Sequence, residues 1–292
     1  MSEATTAAPF VAARRDRGDL VRFALVLPLI VYLLVFYIGP VAAMLLRSVA
    51  EPNWTLSNIV SVATDSVSLT VFRITFRTAL IVTVATAVIG YPVAFGIAQM
   101  RRATANALLV LVLLPFWTSV LVRSYAWMVL LGRNGVLNQL MLYLGITDAP
   151  LRLLNTPMAV VVAMTHILLP YMILPTYGVL LDIDRALPRA AAGLGASPLG
   201  VFRQVWLPLS MPGAAAGAML VFVLSLGFFI TPALVGGPRD MMIAMLIQQQ
   251  VDLVHWPLAS ALAAGLLLVT LVVLAVCHRA LGLDRLLRGA RR

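Results

Sequence analysis

The sequence contains no lysine, so arginine supplies all 21 of its positively charged side chains. A phosphate-binding P-loop needs a lysine directly after its glycine-rich turn to hold the nucleotide phosphates. The chain therefore has no standard ATP site of its own. The formal net charge is +10. No nucleic-acid partner is indicated, because the arginines are spread over separate stretches without interleaved aromatic residues or a binding motif.

Cysteine and histidine are also scarce. Cys277 is the single cysteine, which excludes a disulfide within the chain. The three histidines, His166, His255 and His278, lie in separate segments, and no motif of a zinc hydrolase or of a serine nucleophile is present. The sequence therefore predicts a protein that is not an enzyme and binds no cofactor or metal itself.

Charged residues make up only 11% of the chain, whereas 62% of its residues are hydrophobic and the mean hydropathy is +1.00. These values are typical of an integral membrane protein. A helix needs about 20 apolar residues to cross the hydrocarbon. Six segments meet this length: 23–46, 74–98, 107–131, 157–181, 213–235 and 257–277. We therefore predict an all-α integral membrane protein with six transmembrane helices.

Proline and glycine predict irregularities within these segments. Pro28, Pro170, Pro175 and Pro232 are expected to kink the first, fourth and fifth helices. Gly227, Thr231-Pro232 and Gly236-Gly237 are expected to unwind the outer part of the fifth segment.

The arginines indicate how the chain is oriented. They concentrate in 1–22, 101–102, 185–203 and 279–292, which all lie on one side of the membrane if the N-terminus is cytoplasmic. Cytoplasmic loops carry the excess of basic residues. We therefore predict cytoplasmic tails at 1–22 and 278–292 around a membrane domain at 23–277. The first segment is longer than the apolar core of a signal peptide, so it is predicted to remain as an uncleaved helix.

A polar interruption between the fourth and fifth segments follows a fixed spacing. Arg189-Ala190-Ala191 is followed by three residues, Gly195, nine residues and then Val205-Trp206-Leu207-Pro208. The alanines favour a short helix, the glycine permits a sharp turn, and Ser197-Pro198 is a typical helix start. The loop 182–212 is therefore predicted to form a short helix-turn-helix outside the membrane.

This spacing resembles the cytoplasmic coupling loop of ABC importer permeases, whose pattern is Glu-Ala-Ala, three residues, Gly, nine residues and Ile-x-Leu-Pro. The intervals are the same here, but Arg189 replaces the Glu and Val205 replaces the Ile. Further stretches, at 90–92, 114–118, 168–171 and 229–237, resemble permeases of the spermidine/putrescine type. The resemblance extends over roughly residues 20–280.

The resemblance implies a type I ABC importer permease fold that spans the bacterial inner membrane and contacts membrane lipid. It also implies a second permease subunit, an extracytoplasmic solute-binding protein, and an ATPase dimer that binds ATP and Mg²⁺. The residues expected to form the ATPase-coupling loop are Arg189, Ala190, Ala191, Gly195, Ala196, Ser197, Pro198, Val205, Leu207 and Pro208. Because Arg189 reverses the family's charge, either the ATPase has a compensating acid or this contact has been lost.

Polar and aromatic residues within the segments are candidates for lining a translocation path. Ionisable side chains are costly inside a membrane and are usually functional there. His166 has a second interpretation as an interhelical hydrogen-bond partner, and Arg123 as a snorkelling side chain or a partner of Asp148. The candidates for the path are Trp117, Arg123, Tyr125, His166, Phe228 and Thr231.

The resemblance favours import of a polyamine or related organic cation, with an amino-acid-derived or other small organic solute as the alternative. However, the six segments contain no Asp or Glu, and only Asp148, Asp240 and Asp252 were identified near outer ends. This lack is unfavourable for a polyamine path. It also argues against an ion-coupled secondary transporter or channel, because such proteins need ionisable groups in the membrane. A purely structural membrane scaffold is a third class, but it gives no reason for the spacing of the loop 182–212.

Overall fold

The structure is a computed structural model, which describes residues 17–50 and 54–281. Within these ranges every element is a helix. The predicted tails at 1–22 and 278–292 lie largely outside the described residues. The α-helices are α1 (Arg17–Leu33), α2 (Gly39–Ala50), α3 (Ser57–Thr64), α4 (Ser66–Gln99), α5 (Arg102–Leu113), α6 (Val120–Leu131), α7 (Val136–Tyr143), α8 (Pro157–Asp182), α9 (Ala186–Gly193), α10 (Pro198–Val201), α11 (Leu207–Leu226), α12 (Ile230–Val235), α13 (Ile243–Asp252) and α14 (Trp256–Leu281).

Five stretches of the described chain are each long and apolar enough to cross a membrane as one span. They are Leu25–Ala50, Ser66–Gln99, Pro157–Asp182, Pro198–Leu226 and Trp256–Cys277. A sixth crossing is available if Arg102–Trp117 and Val120–Tyr143, which meet at 97°, together form one span. The six predicted helices thus correspond to five spans and one bent pair.

The predicted third segment, 107–131, is not one helix. A 3-10 turn at Leu114–Trp117 separates α5 from α6, and the residues that follow this turn are extended. Pro115 removes a backbone donor, and Ser119 begins the next helix by accepting a hydrogen bond from the Leu121 N–H at 3.2 Å. Hydropathy does not register this break because both sides of it are apolar.

The predicted fifth segment, 213–235, begins earlier and is interrupted. Its span runs from Pro198 to Leu226, and α12 begins only at Ile230. The interruption at 227–229 confirms the break predicted at Gly227. As a result, α12 is a separate short helix, and it packs against α6 as well as α8.

Two π-helical turns occur in the described spans, and each precedes a proline. Leu34–Ile38 lies before Pro40, and Phe202–Trp206 lies before Pro208. A proline cannot donate a hydrogen bond and its ring clashes with the carbonyl four residues earlier, so the wider turn accommodates it. The irregularity predicted in the first segment therefore lies before Pro40, whereas α1 continues through Pro28.

The core of the bundle is formed by α4, α8 and α11, which pack most extensively on one another. Met172 of α8 lies between two glycines of its neighbours. A Cβ on Gly90 would lie 2.9 Å from Met172 Cγ, and a Cβ on Gly217 would lie 2.9 Å from the Met172 carbonyl oxygen. Close approach of the three backbones is thus possible because these positions have no side chain. The loop 182–212 connects two members of this core, α8 and α11.

Candidate functional site

The loop 182–212 forms the helix-turn-helix predicted from its spacing. α9 ends in a turn at Gly195, whose φ of +88° is in the left-handed region that favours glycine. The Gly195 N–H donates to the Ala192 carbonyl at 3.0 Å, and the Ala196 N–H donates to the Ala191 carbonyl at 3.1 Å. Ser197 then begins α10 by accepting a hydrogen bond from the Gly200 N–H at 3.2 Å.

The tip of this loop, residues 186–199, is exposed in the isolated subunit. No residue of α9 is buried, and the side chain of Leu194 is 90% exposed. Leu187 and Leu199 of the same tip are exposed as well. Apolar side chains grouped on a loop between polar residues are typical of a protein contact surface. The tip therefore has the properties of a surface that a partner covers.

The candidate coupling residues divide into two groups. Most of them lie in the tip: Arg189, Ala190, Ala191, Gly195, Ala196, Ser197 and Pro198. Val205, Leu207 and Pro208 lie in the π turn and at the start of α11, where Val205 and Leu207 are half-buried. The second half of the motif therefore belongs to the stem that joins the loop to the bundle.

Arg189 is exposed on α9. Among the described residues, it has no hydrogen-bond or ion-pair partner. Its guanidinium is therefore available to a group on another protein.

Two of the path candidates, Arg123 and His166, lie in one polar and aromatic cluster. Trp127 of α6 donates its Nε1–H to Nδ1 of His166 on α8 at 3.2 Å, with the ring centroids 5.6 Å apart. The interhelical hydrogen bond considered for His166 is therefore confirmed. Because Nδ1 accepts this bond, the proton of the neutral ring is on Nε2. Arg123 is close enough to interact electrostatically with His166 and with Tyr171.

Arg123 is half-buried, and its Nε is buried without a hydrogen-bond partner. An ion pair with Asp148, one of the interpretations of Arg123, is not found among the described residues. Tyr171, the other group near Arg123, packs its ring against Phe116 with the centroids 5.0 Å apart. A guanidinium inside a span and lacking an acidic neighbour is unfavourable in contact with lipid. This face is therefore expected to meet water or another protein.

The other path candidates occupy different environments. Trp117 is 76% exposed at the break between α5 and α6, and Tyr125 is exposed on α6. Phe228 is half-buried at the break before α12. Thr231 is fully buried, and its hydroxyl is hydrogen-bonded to the Ser124 hydroxyl at 2.8 Å, so it joins α12 to α6. Trp117 and Tyr125 thus present open surface, and Thr231 does not.

A second face of the bundle is apolar. A groove of about 760 Å³ lies between α4, α11 and α14, and its lining includes Val88, Phe222, Val273 and Cys277. Such a surface suits lipid or an apolar helix. The polar cluster and this groove give the subunit two chemically different faces within its membrane spans.

An exposed loop tip and membrane spans with one polar and one apolar face are features of a membrane-transport subunit. The family described as "Binding-protein-dependent transport system inner membrane component" matches residues 88–281, and the chain belongs to this family. It is therefore a multi-pass inner-membrane permease subunit of a binding-protein-dependent ABC importer.

The chain is also similar to curated permeases. It is 38% identical over 203 residues to the spermidine/putrescine transport system permease protein PotB of Escherichia coli K12, which covers 69% of this chain and 74% of that protein. The same protein of Haemophilus influenzae is 39% identical over 201 residues, with 68% and 70% covered. The inner membrane ABC transporter permease protein YdcU of Escherichia coli K12 is 33% identical over 247 residues, with 80% and 79% covered.

Solved structures show the same fold. A chain in the crystal structure of a bacterial alginate ABC transporter, in complex with an alginate pentasaccharide-bound periplasmic protein, has a TM-score of 0.74. The two chains are 16% identical, and the match covers 90% of this chain and 94% of that one. The predicted type I ABC importer permease fold is thereby confirmed.

Proposed function

We propose that this chain forms half of a translocation path for a polyamine or related organic cation. A second permease subunit would supply the other half, and an extracytoplasmic binding protein would deliver the solute. The similarity to spermidine/putrescine permeases over about two thirds of the chain supports the substrate class. The exposed rings of Trp117 and Tyr125 are consistent with it, since aromatic faces attract ammonium groups.

Acidic residues relevant to this substrate lie outside the spans. Asp148 and Asp252 are exposed in the outer part of the chain, whereas Asp240 is buried and accepts a hydrogen bond from the Gly237 N–H at 2.9 Å. Asp148 and Asp252 can attract a cation to the outer surface. Within the span, binding would then depend on aromatic rings and on residues of the second permease.

The chain is further proposed to take its energy from a separate ATPase dimer, which binds ATP and Mg²⁺ and contacts the loop tip. The observation that carries this proposal is the exposure of Leu194 and its neighbours on a loop with the spacing of a coupling motif. Nucleotide-driven closure of the dimer would displace the tip and switch the bundle between two orientations as a rigid body.

The charge of the tip specifies one feature of this partner. Arg189 is exposed and has no partner within the described chain. Opposite charges facing each other across an interface guide association, whereas like charges oppose it. We therefore expect an acidic side chain on the ATPase opposite Arg189. Replacing Arg189 with Glu should weaken ATPase binding, and reversing the charge of that acid should restore it.

Substitutions at Gly195 test the coupling assignment. Nothing lies within 4 Å of a Cβ added there, so a side chain would project into the partner rather than into this subunit. Gly195→Asn keeps a residue type that tolerates a left-handed backbone, and Gly195→Asp adds one charge to nearly the same shape. Because an acidic side chain is expected on the ATPase near the tip, co-purification of the ATPase from detergent should fall further with Gly195→Asp than with Gly195→Asn.

Two results would contradict these proposals separately. Undiminished ATPase capture by Gly195→Asp would contradict the coupling role of the tip. Uptake assays in vesicles that contain the complete complex test the substrate class. An intact complex that hydrolyses ATP but accumulates neither spermidine nor putrescine would contradict the polyamine assignment and leave the coupling assignment standing.

A further inference from the structure

The loop 182–212 is fastened to α4 at its beginning, although α4 is remote from it in sequence. The Arg185 Nη2 donates a hydrogen bond to the Ala98 carbonyl at 3.1 Å. Ala98 is the second-last residue of α4, where carbonyls have no partner within the helix and the helix dipole favours a cation. Arg185 therefore ties the start of α9 to the cytoplasmic end of α4.

The end of the loop is fastened to the same helix by aromatic rings. Phe95 of α4 contacts Phe202 and Trp206 of the π turn, with ring centroids 5.2 Å and 5.6 Å apart and interplanar angles of 82° and 81°. Tyr91 contacts Phe202 in the same manner at 6.2 Å and 76°. Edge-to-face pairs of this kind are attractive and fix the relative orientation of the rings.

This contact continues along both helices. Tyr91 and Phe95 are four residues apart on α4. Phe202, Trp206 and Ser210 repeat at the same interval along the π turn and the start of α11. Residues four apart share one face of a helix. The Tyr91 hydroxyl is hydrogen-bonded to the Ser210 hydroxyl at 2.7 Å, which extends the contact into α11.

The rings also join the buried core. Phe95 and Trp206 pack against a cluster that contains Ala94 and Ala98 of α4 and Ile173 and Leu180 of α8. The tip itself does not share this packing. A cavity of about 650 Å³ lies between the end of α4 and the loop, lined by Phe95 and Gln99 on one side and by Ala192, Ala196 and Leu199 on the other.

These contacts distinguish α4 from the other two core helices. α8 and α11 are continuous with the loop through the backbone, so any displacement of the loop reaches them directly. α4 has no such covalent path from the tip. We propose that Arg185, Phe202 and Trp206, clamped against Phe95 and Ala98, transmit the displacement of the loop to α4. We call these five residues the loop clamp; its role rests on the proposed coupling to an ATPase.

Without the loop clamp, α4 would follow α8 and α11 only through their packing within the core, and its end beside the loop would be coupled less tightly to the ATPase. The clamp residues are thus positioning residues that act between the ATPase and the solute path. Their loss should separate ATP hydrolysis from transport, whereas a purely structural role would lower both through loss of folded complex.

The first test is the double variant Phe202→Leu with Trp206→Leu, which keeps apolar side chains but removes the ring contacts. In vesicles with the complete complex, spermidine uptake per ATP hydrolysed should fall about 5-fold or more, while co-purification of the ATPase stays at the wild-type level. Phe222→Leu is the matched control, because it removes a ring pair with Phe76 at 5.9 Å elsewhere on the bundle. Its uptake per ATP should change less than about 2-fold.

The second test asks whether a covalent link can replace the rings. Phe95→Cys with Phe202→Cys, in a Cys277→Ser background, removes the ring contact and should be uncoupled while the thiols are reduced. Bridging them with a short thiol cross-linker should restore uptake per ATP. The same experiment with Phe76→Cys and Phe222→Cys should show no such rescue.

The outcomes separate this proposal from the proposed function. If the wild-type subunit captures no ATPase, both are overturned. If the wild type is coupled but the double leucine variant keeps the wild-type ratio of uptake to hydrolysis, the loop clamp alone is overturned. Arrest of transport by the 95–202 bridge would likewise overturn it, because the loop would then have to move relative to α4.

Discussion

The distance between α8 and α11 is set by two residues without side chains. A Cβ on Gly213 would lie 2.7 Å from the Pro175 carbonyl oxygen, and one on Gly217 would lie 2.9 Å from the Met172 carbonyl oxygen. A flexible side chain could turn away, but a backbone oxygen moves only with its helix. Small residues spaced by four allow the backbones of membrane helices to approach in this way.

We therefore expect Gly213→Ala to separate α8 from α11 and to destabilise the subunit by about 1–3 kcal/mol, the usual cost of overpacking. The measurement is the melting temperature of the detergent-solubilised complex. Gly178→Ala is the matched control on α8, since nothing lies within 4 Å of a Cβ added there. Equal melting temperatures for the two variants would contradict the close approach at Gly213.

The conformation of a single residue could be predicted from the sequence where it depends only on neighbouring residues in the chain. Gly195 lies in a turn and Ser197 begins a helix, as expected from the loop motif, and the turn gives Gly195 a positive φ. The ring contacts of Phe95 were not predicted, because a spacing of four residues on a helix indicates a shared face but not the partner of that face. The pairing of Thr231 with Ser124 was missed for the same reason.

At the level of elements, the short helix α7 is held to the following loop by one side chain. Asn138 is fully buried, and its Nδ2 donates to the Gly132 carbonyl at 3.1 Å and to the Leu151 carbonyl at 3.0 Å. Its Oδ1 accepts a hydrogen bond from the Leu151 N–H at 2.9 Å. The Asn138 amide thus bonds one backbone group in the turn before α7 and two in the loop after it.

Asn138→Ala should leave the Leu151 N–H without a partner, whereas the Gly132 and Leu151 carbonyls still accept from the Gly135 and Leu153 N–H groups at 2.9 Å and 3.0 Å. The expected cost is about 1–3 kcal/mol, since an unsatisfied buried group loses its solvation. The loop 144–156 should then open locally and become sensitive to protease added from the outer side. Asn134→Ala is the control, because Asn134 is exposed and contributes its backbone carbonyl rather than its side chain to Gln139. Protease resistance equal to that of the control would contradict the role of Asn138.

Elements were predictable where hydropathy alone decides them. α8 nearly coincides with the fourth segment, because about two dozen apolar residues in lipid have no alternative to a helix. The bend between α5 and α6 and the two π turns depend instead on where a backbone donor is missing, at Pro115, Pro40 and Pro208. Proline was recognised in the sequence, but whether a helix absorbs it, as α8 does at Pro170, depends on its neighbours.

At the scale of the whole molecule, the bundle has one side suited to lipid and one side that is not. The apolar groove beside α14 contains no charged residue in its lining. The cluster of Arg123, Trp127 and His166 is charged or polar and partly open. Because lipid cannot satisfy such groups, the second permease or the aqueous path should cover them, which orients the subunit within its complex.

The loop tip and α7 should lie on opposite sides of the membrane. The tip follows α8 and lies within the arginine-rich stretch 185–203, and α7 precedes α8 at its other end. Since basic loops stay in the cytoplasm, the tip is expected inside and α7 outside, with both termini inside.

Two well-exposed positions can test this orientation with similar accessibility. Leu194 in the tip is 90% exposed, and Tyr143 at the end of α7 is 88% exposed. In a Cys277→Ser background, a membrane-impermeant maleimide should label Tyr143→Cys in intact cells and Leu194→Cys only in inside-out vesicles. The subunit is expressed without its ATPase, so that the two side chains are about equally open and a difference in labelling reports the side of the membrane rather than burial. Labelling of Leu194→Cys in intact cells would invert the proposed topology and remove the tip from the reach of a cytoplasmic ATPase.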